Sequence, residues 1–168
     1  MGPRPLIRPA HINDAPAIHA IYAPIVANTA ISLELEVPPV QEIAQRITAI
    51  SSEFPYLGAL LDGQLAGYAY ASQFRSRAAY DASVEVTVYV DQKSRGRGVA
   101  KALYAALFDA LQAQQRHMAF AVITLPNTES VSLHEAARFE PAGVWKEAGF
   151  KFGRWHDVGC WQKRLARD

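Results

Sequence analysis

The sequence predicts an α/β domain, a sheet with helices packed on it, and three observations carry that prediction. Half of the 168 residues are apolar, which suits one domain with a single core rather than two. Ser83 to Val90 alternates with period two, placing Val84, Val86, Val88 and Val90 on one face and Glu85, Thr87 and Tyr89 on the other. Gly98 to Gln115 carries Leu103, Leu107 and Leu111 at helical spacing instead, flanked by alanines that permit close packing on a sheet. Residues 1–168 are expected to form one domain.

The remaining elements follow in order. Leu6-Ile7-Arg8 reads as a first strand, and Asn13-Asp14 as the cap of a helix whose Ile18, Ile21, Tyr22 and Ile25 share a face. Thr29 to Glu36 has no such stripe and reads as a semi-extended connection. Pro38-Pro39 opens a second helix with Val40, Ile43, Ile47 and Ile50 on its apolar side. Tyr56 to Leu61 and Leu65 to Ser72 flank Asp62-Gly63, a pair that accepts positive φ, so they predict a hairpin. The face of Ser83 to Val90 that carries Glu85 is expected to meet something polar. Ala119 to Leu125 is a strand, and Pro126-Asn127 ends it and caps a helix carrying Val131, Leu133, His134 and Ala137. The tail returns to short β pieces, Gly143 to Lys146, Lys151-Phe152 and Val158 to Gln162, separated by glycines.

Composition excludes several classes of function. A net charge of +1 with 20% charged residues creates no overall field toward nucleic acid or a membrane surface. The single cysteine, Cys160, precludes an internal disulfide framework and fits a reducing, cytoplasmic compartment. Met1 to Pro9 carries Arg4 and Arg8 and lacks the apolar run of a signal peptide, and Leu6 stands where lipidation of Gly2 wants Ser or Thr. No apolar stretch approaches bilayer-spanning length. His11, His19, His117 and His156 have no metal-ligand spacing with Cys160 or with one another, so no metal is expected.

The chemistry concentrates after the valine strand, where Asp91-Gln92-Lys93-Ser94-Arg95-Gly96-Arg97-Gly98-Val99-Ala100 runs through a basic turn into a helix. Gly96 and Gly98 let the backbone approach a phosphate, the first helical N–H groups have no internal partner, and the helix dipole adds positive potential. Arg95 and Arg97 supply countercharge. The alternative is a solvated basic turn capping an ordinary helix. A Walker phosphate loop needs four residues between its glycines, and here one separates Gly96 from Gly98. The dinucleotide fingerprint would need a third glycine at Lys101.

Lys93 to Gly98 resembles instead the coenzyme turn of the GCN5-related N-acetyltransferases (GNAT), with Lys93 at a position usually Gln or Arg. The predicted order β, α, α, β, β, β, α, β, α, β, β resembles that fold over nearly the whole chain, which implies a mixed, mostly antiparallel seven-stranded sheet flanked by about four helices. Four further blocks resemble the phosphinothricin and methionine sulfoximine or sulfone acetyltransferase group: Ala79 to Val90, Leu125-Pro126-Asn127, Ser132-Leu133-His134-Glu135-Ala136, and Gly153-Arg154-Trp155-His156-Asp157-Val158-Gly159. The departures are Leu33, where the group often has Phe, and Arg138, where a Gly usually precedes the Phe.

The resemblance implies an acetyl-CoA-dependent N-acetyltransferase acting on the amine of a small amino-acid-like substrate. It implies coenzyme contacts from Val88, Tyr89 and Val90 along the strand, from Arg95, Gly96, Arg97, Gly98 and Val99 at the pyrophosphate, and from Asn127. It implies direct attack of the amine on the thioester, with Glu85 as general base and His134 as proton relay. Each has a plainer reading: a solvent-facing or arginine-paired strand glutamate, a core histidine, and for Asn127 a simple helix cap. Leu33 and Glu34 on the early connection, with Arg77 and Tyr80 before the valine strand, are the expected substrate contacts. A cation and hydrogen-bond donors are what a phosphinate or sulfone-like end requires. Arg75 reads as an exposed hairpin charge. Trp145, Trp155 and Trp161 in the tail read as core packing, and the resemblance implies that this region also contributes to a homodimer. Two other functions share the same coenzyme site: an acetyltransferase acting on protein N-termini or lysines, and a coenzyme-binding sensor without catalysis.

Overall fold

A computed structural model describes residues 4–165, so the reading of Gly2 lies outside the described residues. Seven strands form one sheet in the order β1-β2-β3-β4-β5-β7-β6. They are β1 (Leu6–Pro9), β2 (Tyr56–Leu61), β3 (Gln64–Gln73), β4 (Ser83–Val90), β5 (Met118–Thr124), β6 (Glu140–Lys151) and β7 (Arg154–Arg164). The helices are α1 (Ala15–Asn28), α2 (Val40–Ser51), α3 (Val99–Ala113) and α4 (Thr128–Ala136). Every pairing is antiparallel except β4 with β5.

The sheet is covered on both sides, and β3 explains how. Ala66, Ala69 and Ala71 face α3, whose Leu103, Leu107 and Leu111 are fully buried against them and against Val84 and Val86. The small side chains let the helix approach closely. Tyr68 and Tyr70, between the alanines, face α1 and α2 and pack with Ile18, Ile21, Ile43 and Ile47. The second face of β4 is therefore not simply polar as expected. Tyr89 joins this tyrosine layer, 5.2 Å from Tyr22 and 5.6 Å from Tyr68 between ring centroids.

Several boundaries differ from the sequence reading. Asp14 does precede α1, but its carboxylate does not cap that helix; it closes the capping box of the preceding 3-10 turn, Ile12–Asp14, by accepting from the His11 backbone N–H at 2.7 Å, and accepts from Arg8 at 2.7 and 2.8 Å. Pro38 and Pro39 stand just outside α2 rather than in its first turn. The Asp62-Gly63 turn has the expected positive φ at both residues. The tail forms two long strands instead of short pieces, because register shifts at Pro141/Gly143 and Trp145/Gly149 interrupt the alternation of β6 without ending its pairing to β7.

Arg138 stands at the left-handed position that closes α4, with φ 66°. Its N–H donates to Glu135 O at 2.9 Å and the Phe139 N–H to His134 O at 2.9 Å, the bond pair of a Schellman motif. A left-handed non-glycine residue costs about 1–2 kcal/mol, partly returned through the unfolded chain when glycine replaces it. Arg138→Gly is therefore expected to stabilise the protein by about 0.5–1 kcal/mol, read as a higher denaturant midpoint at unchanged slope.

Candidate active site

The site exists because one ladder stops early. β3 pairs with β4 along its length to Val90, but β4 and β5 pair only at Ser83–Met118, Val84–Ala119 and Glu85–Phe120. Beyond Glu85 the two strands part, and β5 continues paired with β7 alone to Thr124. The opening is a cleft of about 730 Å³ running from Glu85 along Val86–Val90 to the basic turn. The connection after α1, with Ile31, Ser32 and Leu33, closes one side; Asn127, Ser130 and His134 close another.

At the turn end, Gly96 and Gly98 have φ 73° and 78°, and Gly98 caps the first turn of α3. Both line the cleft, with Arg95 and Lys101. Arg95 is 3.3 Å from Glu129 and Arg97 3.5 Å from Asp62, exposed pairs that hold the guanidinium groups only loosely. Buried Val99 anchors the helix start. Asn127 caps α4, its Oδ1 accepting from the Ser130 N–H at 3.1 Å, as the plainer reading has it. Its amide N–H groups make no hydrogen bond to another described residue, and Asn127 lines the cleft.

At the other end stands Glu85, half-buried in the cleft wall beside Tyr70 and Thr87. Burial pushes its carboxyl above the usual carboxylate range, and the nearby charge of Arg75 opposes the shift. Arg75 is exposed, two residues beyond Gln73, where β3 ends its pairing with β4 beside Glu85. Among the described residues the carboxylate has no hydrogen-bond or ion-pair partner, so it is not the arginine-paired strand glutamate of the plainer reading.

His134 is buried and lines the cleft. Nδ1 lies 2.7 Å from Ser130 O, which can only accept, so the proton is on Nδ1; Nε2 then accepts from the Tyr104 hydroxyl at 2.7 Å. Burial holds the imidazole below its ordinary value, so the ring is neutral near pH 7. Tyr104, fully buried on α3, also lines the cleft, and burial pushes its phenol up. Sequence reasoning missed Tyr104 because its position beside Leu103 reads as part of the core stripe.

The expected substrate residues divide. Leu33 lines the cleft. Glu34 does not; Tyr22 donates to its carboxylate, and Arg46 holds it through bonds of 3.0 and 2.6 Å. Arg77 and Tyr80 are exposed outside the cleft lining, on and beside a 3-10 turn, with Tyr80 set edge-on to Phe74 at 5.8 Å. Among the described residues no group of three or more His, Cys, Asp and Glu comes together, and no helix is long and apolar enough to cross a membrane.

Comparison with known proteins agrees with this geometry. The family model of the acetyltransferase (GNAT) domain matches residues 7–159. Phosphinothricin N-acetyltransferase of Streptomyces viridochromogenes is 38% identical over 157 residues, covering 94% of this chain and 86% of that protein. L-methionine sulfoximine/L-methionine sulfone acetyltransferase of Pseudomonas aeruginosa is 36% identical over 161 residues, covering 95% and 94%. The crystal structure of a phosphinothricin acetyltransferase from Sinorhizobium meliloti in complex with AcCoA superposes with a TM-score of 0.91 at 37% identity, covering 96% of this chain and 88% of that one. The chain thus has the GNAT fold, belongs to the GNAT family and is an acetyl-CoA-dependent N-acetyltransferase.

Proposed function

We propose that residues 1–168 form one catalytic domain that acetylates the amine of a small amino-acid-like acceptor of the phosphinothricin, methionine sulfoximine or methionine sulfone type, by direct attack with Glu85 as base. One observation carries the reading: the parting of β4 and β5 joins an anion-holding turn and a desolvated carboxylate in one cleft. The relatives named for those substrates support the acceptor class.

The residues present suit acetyl-CoA, which supplies the activated acetyl group. The N–H groups of Arg95–Val99 and the two arginines hold its pyrophosphate. Main-chain groups of Val88, Tyr89 and Val90 would hold the pantetheine arm, and a strand N–H there would supply the hydrogen bond that a thioester carbonyl needs for polarisation. Asn127 binds the same arm from the far side. Glu85 takes the proton of the incoming ammonium, directly or through water; burial raises its pKa and makes the carboxylate a stronger base. His134 relays the proton onward through Tyr104: the Tyr104 hydroxyl passes its own proton to His134 Nε2 as it takes up the incoming one, and the reverse shift returns a proton toward the departing thiolate.

Leu33 shapes the acceptor pocket in place of a phenylalanine. Arg77 and Tyr80, on the exposed segment between β3 and β4, supply a cation and a hydroxyl to the acceptor's acidic end. Glu34 contributes by holding the connection through Tyr22 and Arg46 rather than by touching the acceptor. The exposed Val144, Trp145, Phe150, Phe152 and Trp155 on β6, β7 and the turn between them support a homodimer formed across this face, and a lone reduced cysteine suits the cytoplasm.

The test is thiol release from acetyl-CoA with phosphinothricin, methionine sulfoximine, methionine sulfone, polyamines and short peptides. Turnover is expected with the amino-acid analogues. Turnover with peptides alone overturns the acceptor class, and acetyl-CoA binding without amine-dependent thiol release makes the protein a sensor.

A further inference from the structure

The connection that, like Glu85, lines the cleft has no regular secondary structure from Thr29 to Pro39. Such a segment cannot hold a pocket's shape by its own ladder. Its few local bonds run from Thr29 Oγ1 to Ile25 O, from the Ile31 N–H to Thr29 Oγ1 and from the Glu34 N–H to Ser32 Oγ. Something outside it must set where Ile31, Ser32 and Leu33 stand.

From α1 and α2, Tyr22 bonds Ser32 Oγ at 2.8 Å and, with Arg46, holds the Glu34 carboxylate; the backbone of the wall is held by Lys151, the last residue of β6. It is buried to 3% exposure, rare for a lysine, and it forms no ion pair within 4.0 Å among the described residues. Its ammonium donates to Val26 O at 2.7 Å and to Ser32 O at 2.8 Å, and lies 5.1 Å from the centre of the Phe152 ring. Val26 belongs to the last turn of α1, whose carbonyls lack helical partners and carry the negative end of the dipole. One side chain from the far edge of the sheet thus caps α1 and grips the connection 119 residues earlier in the chain.

Two contacts reinforce the grip. His156 on β7 lies with Nε2 3.0 Å from Lys151 O, fixing the backbone from which the lysine projects. Leu33 packs on the bare face of Gly149, where an added Cβ would fall 2.5 Å from Leu33 Cδ1. The β6–β7 hairpin therefore holds both the backbone and a side chain of this wall of the cleft. The pyrophosphate turn and α3 are carried by other strands.

We propose that Lys151 is a positioning residue for the acceptor: by clamping Val26 and Ser32 it sets the Ile31–Leu33 wall, and with it acceptor selectivity, while leaving coenzyme binding alone. The proposal rests on the assignment of this end of the cleft to the acceptor. A merely structural lysine would lower stability and affect both substrates alike.

The experiment compares wild type with Lys151→Met, which keeps length and loses the donors, and with Gly149→Ala, which displaces only the end of the Leu33 side chain. KM and kcat are measured for the best acceptor and for acetyl-CoA, with the ratio of kcat/KM between two acceptors. Acceptor KM is expected to rise about tenfold or more in Lys151→Met, with the acceptor ratio altered and KM for acetyl-CoA within about twofold. Gly149→Ala is expected to shift the same acceptor parameters in a normally stable protein. An unchanged acceptor KM in folded Lys151→Met, or equal losses for both substrates, overturns the proposal. Should Lys151→Met not fold, unchanged acceptor parameters in Gly149→Ala overturn it. Wild-type turnover of peptides alone removes the small-acceptor reading instead, and the same split is then read with the peptide.

Discussion

Replacing Glu85 with glutamine is expected to lower kcat/KM for the acceptor by about a hundredfold or more, the range over which a positioned general base acts. The amide is nearly isosteric with the carboxylate in the cleft wall, so KM for acetyl-CoA should change little, and the loss should fall on kcat. The pH profile gives a sharper reading. Burial favours the neutral form and raises the Glu85 pKa, so the wild-type acidic limb should lie above the ordinary carboxylate range. Because Arg75 opposes that shift, Arg75→Gln should move the limb higher still. The linkage has a definite sign: the folded protein favours the protonated carboxyl, so this group's contribution to stability is present at low pH and is lost as pH rises through the folded pKa. Removing the charge in Glu85→Gln should therefore leave stability unchanged or slightly increased at neutral pH while activity collapses. Wild-type-like turnover would remove Glu85 from the base role.

The largest effect on the fold is expected from Leu103→Ala. Leu103 is fully buried, one turn inside α3, against β3 and the valine face of β4. Truncating such a leucine costs about 2–5 kcal/mol, a large share of the stability of a domain this size. The denaturant midpoint should fall accordingly. The same helix begins at the pyrophosphate turn, so the loss should be offset in part by the coenzyme: a ligand at about a hundred times its Kd adds about 2.7 kcal/mol to the folded state. A Leu103→Ala protein whose midpoint does not respond to acetyl-CoA would separate the turn from coenzyme binding.

How much of this was legible beforehand depended on the range of the forces involved. β4, α3 and the turn between them are written in local periodicity and in two glycines, and both survive intact in the structure. Asp62-Gly63 likewise announces its hairpin through backbone freedom alone. The β6–β7 pair was not legible as two long strands, since bulges and the positive φ of Glu147 break the alternation that marks a strand. The tyrosine layer was missed because Tyr68 and Tyr89 become core only when α1 and α2 fold over them. The site divides the same way. Glu85 and the glycine turn stand out in their own segments. The Tyr104–His134 bond spans 30 residues and the Lys151 grip more than a hundred, and neither leaves a mark in a short window of sequence. The stray charge of Lys151 among glycines and aromatics reads as surface until its two carbonyl partners are seen.

The early end of the β4–β5 ladder has a further consequence, for how such an enzyme can change over time. On the proposed binding mode the donor is gripped mainly by peptide groups, which every residue type supplies, so substitutions along Val86–Val90 can accumulate without erasing its contacts. The acceptor is met by side chains on an irregular connection seated on a distant hairpin. Mutation therefore reaches the two substrates unequally: the donor half is insulated, and the acceptor half can be retuned by a few changes at Leu33, Gly149 or Lys151.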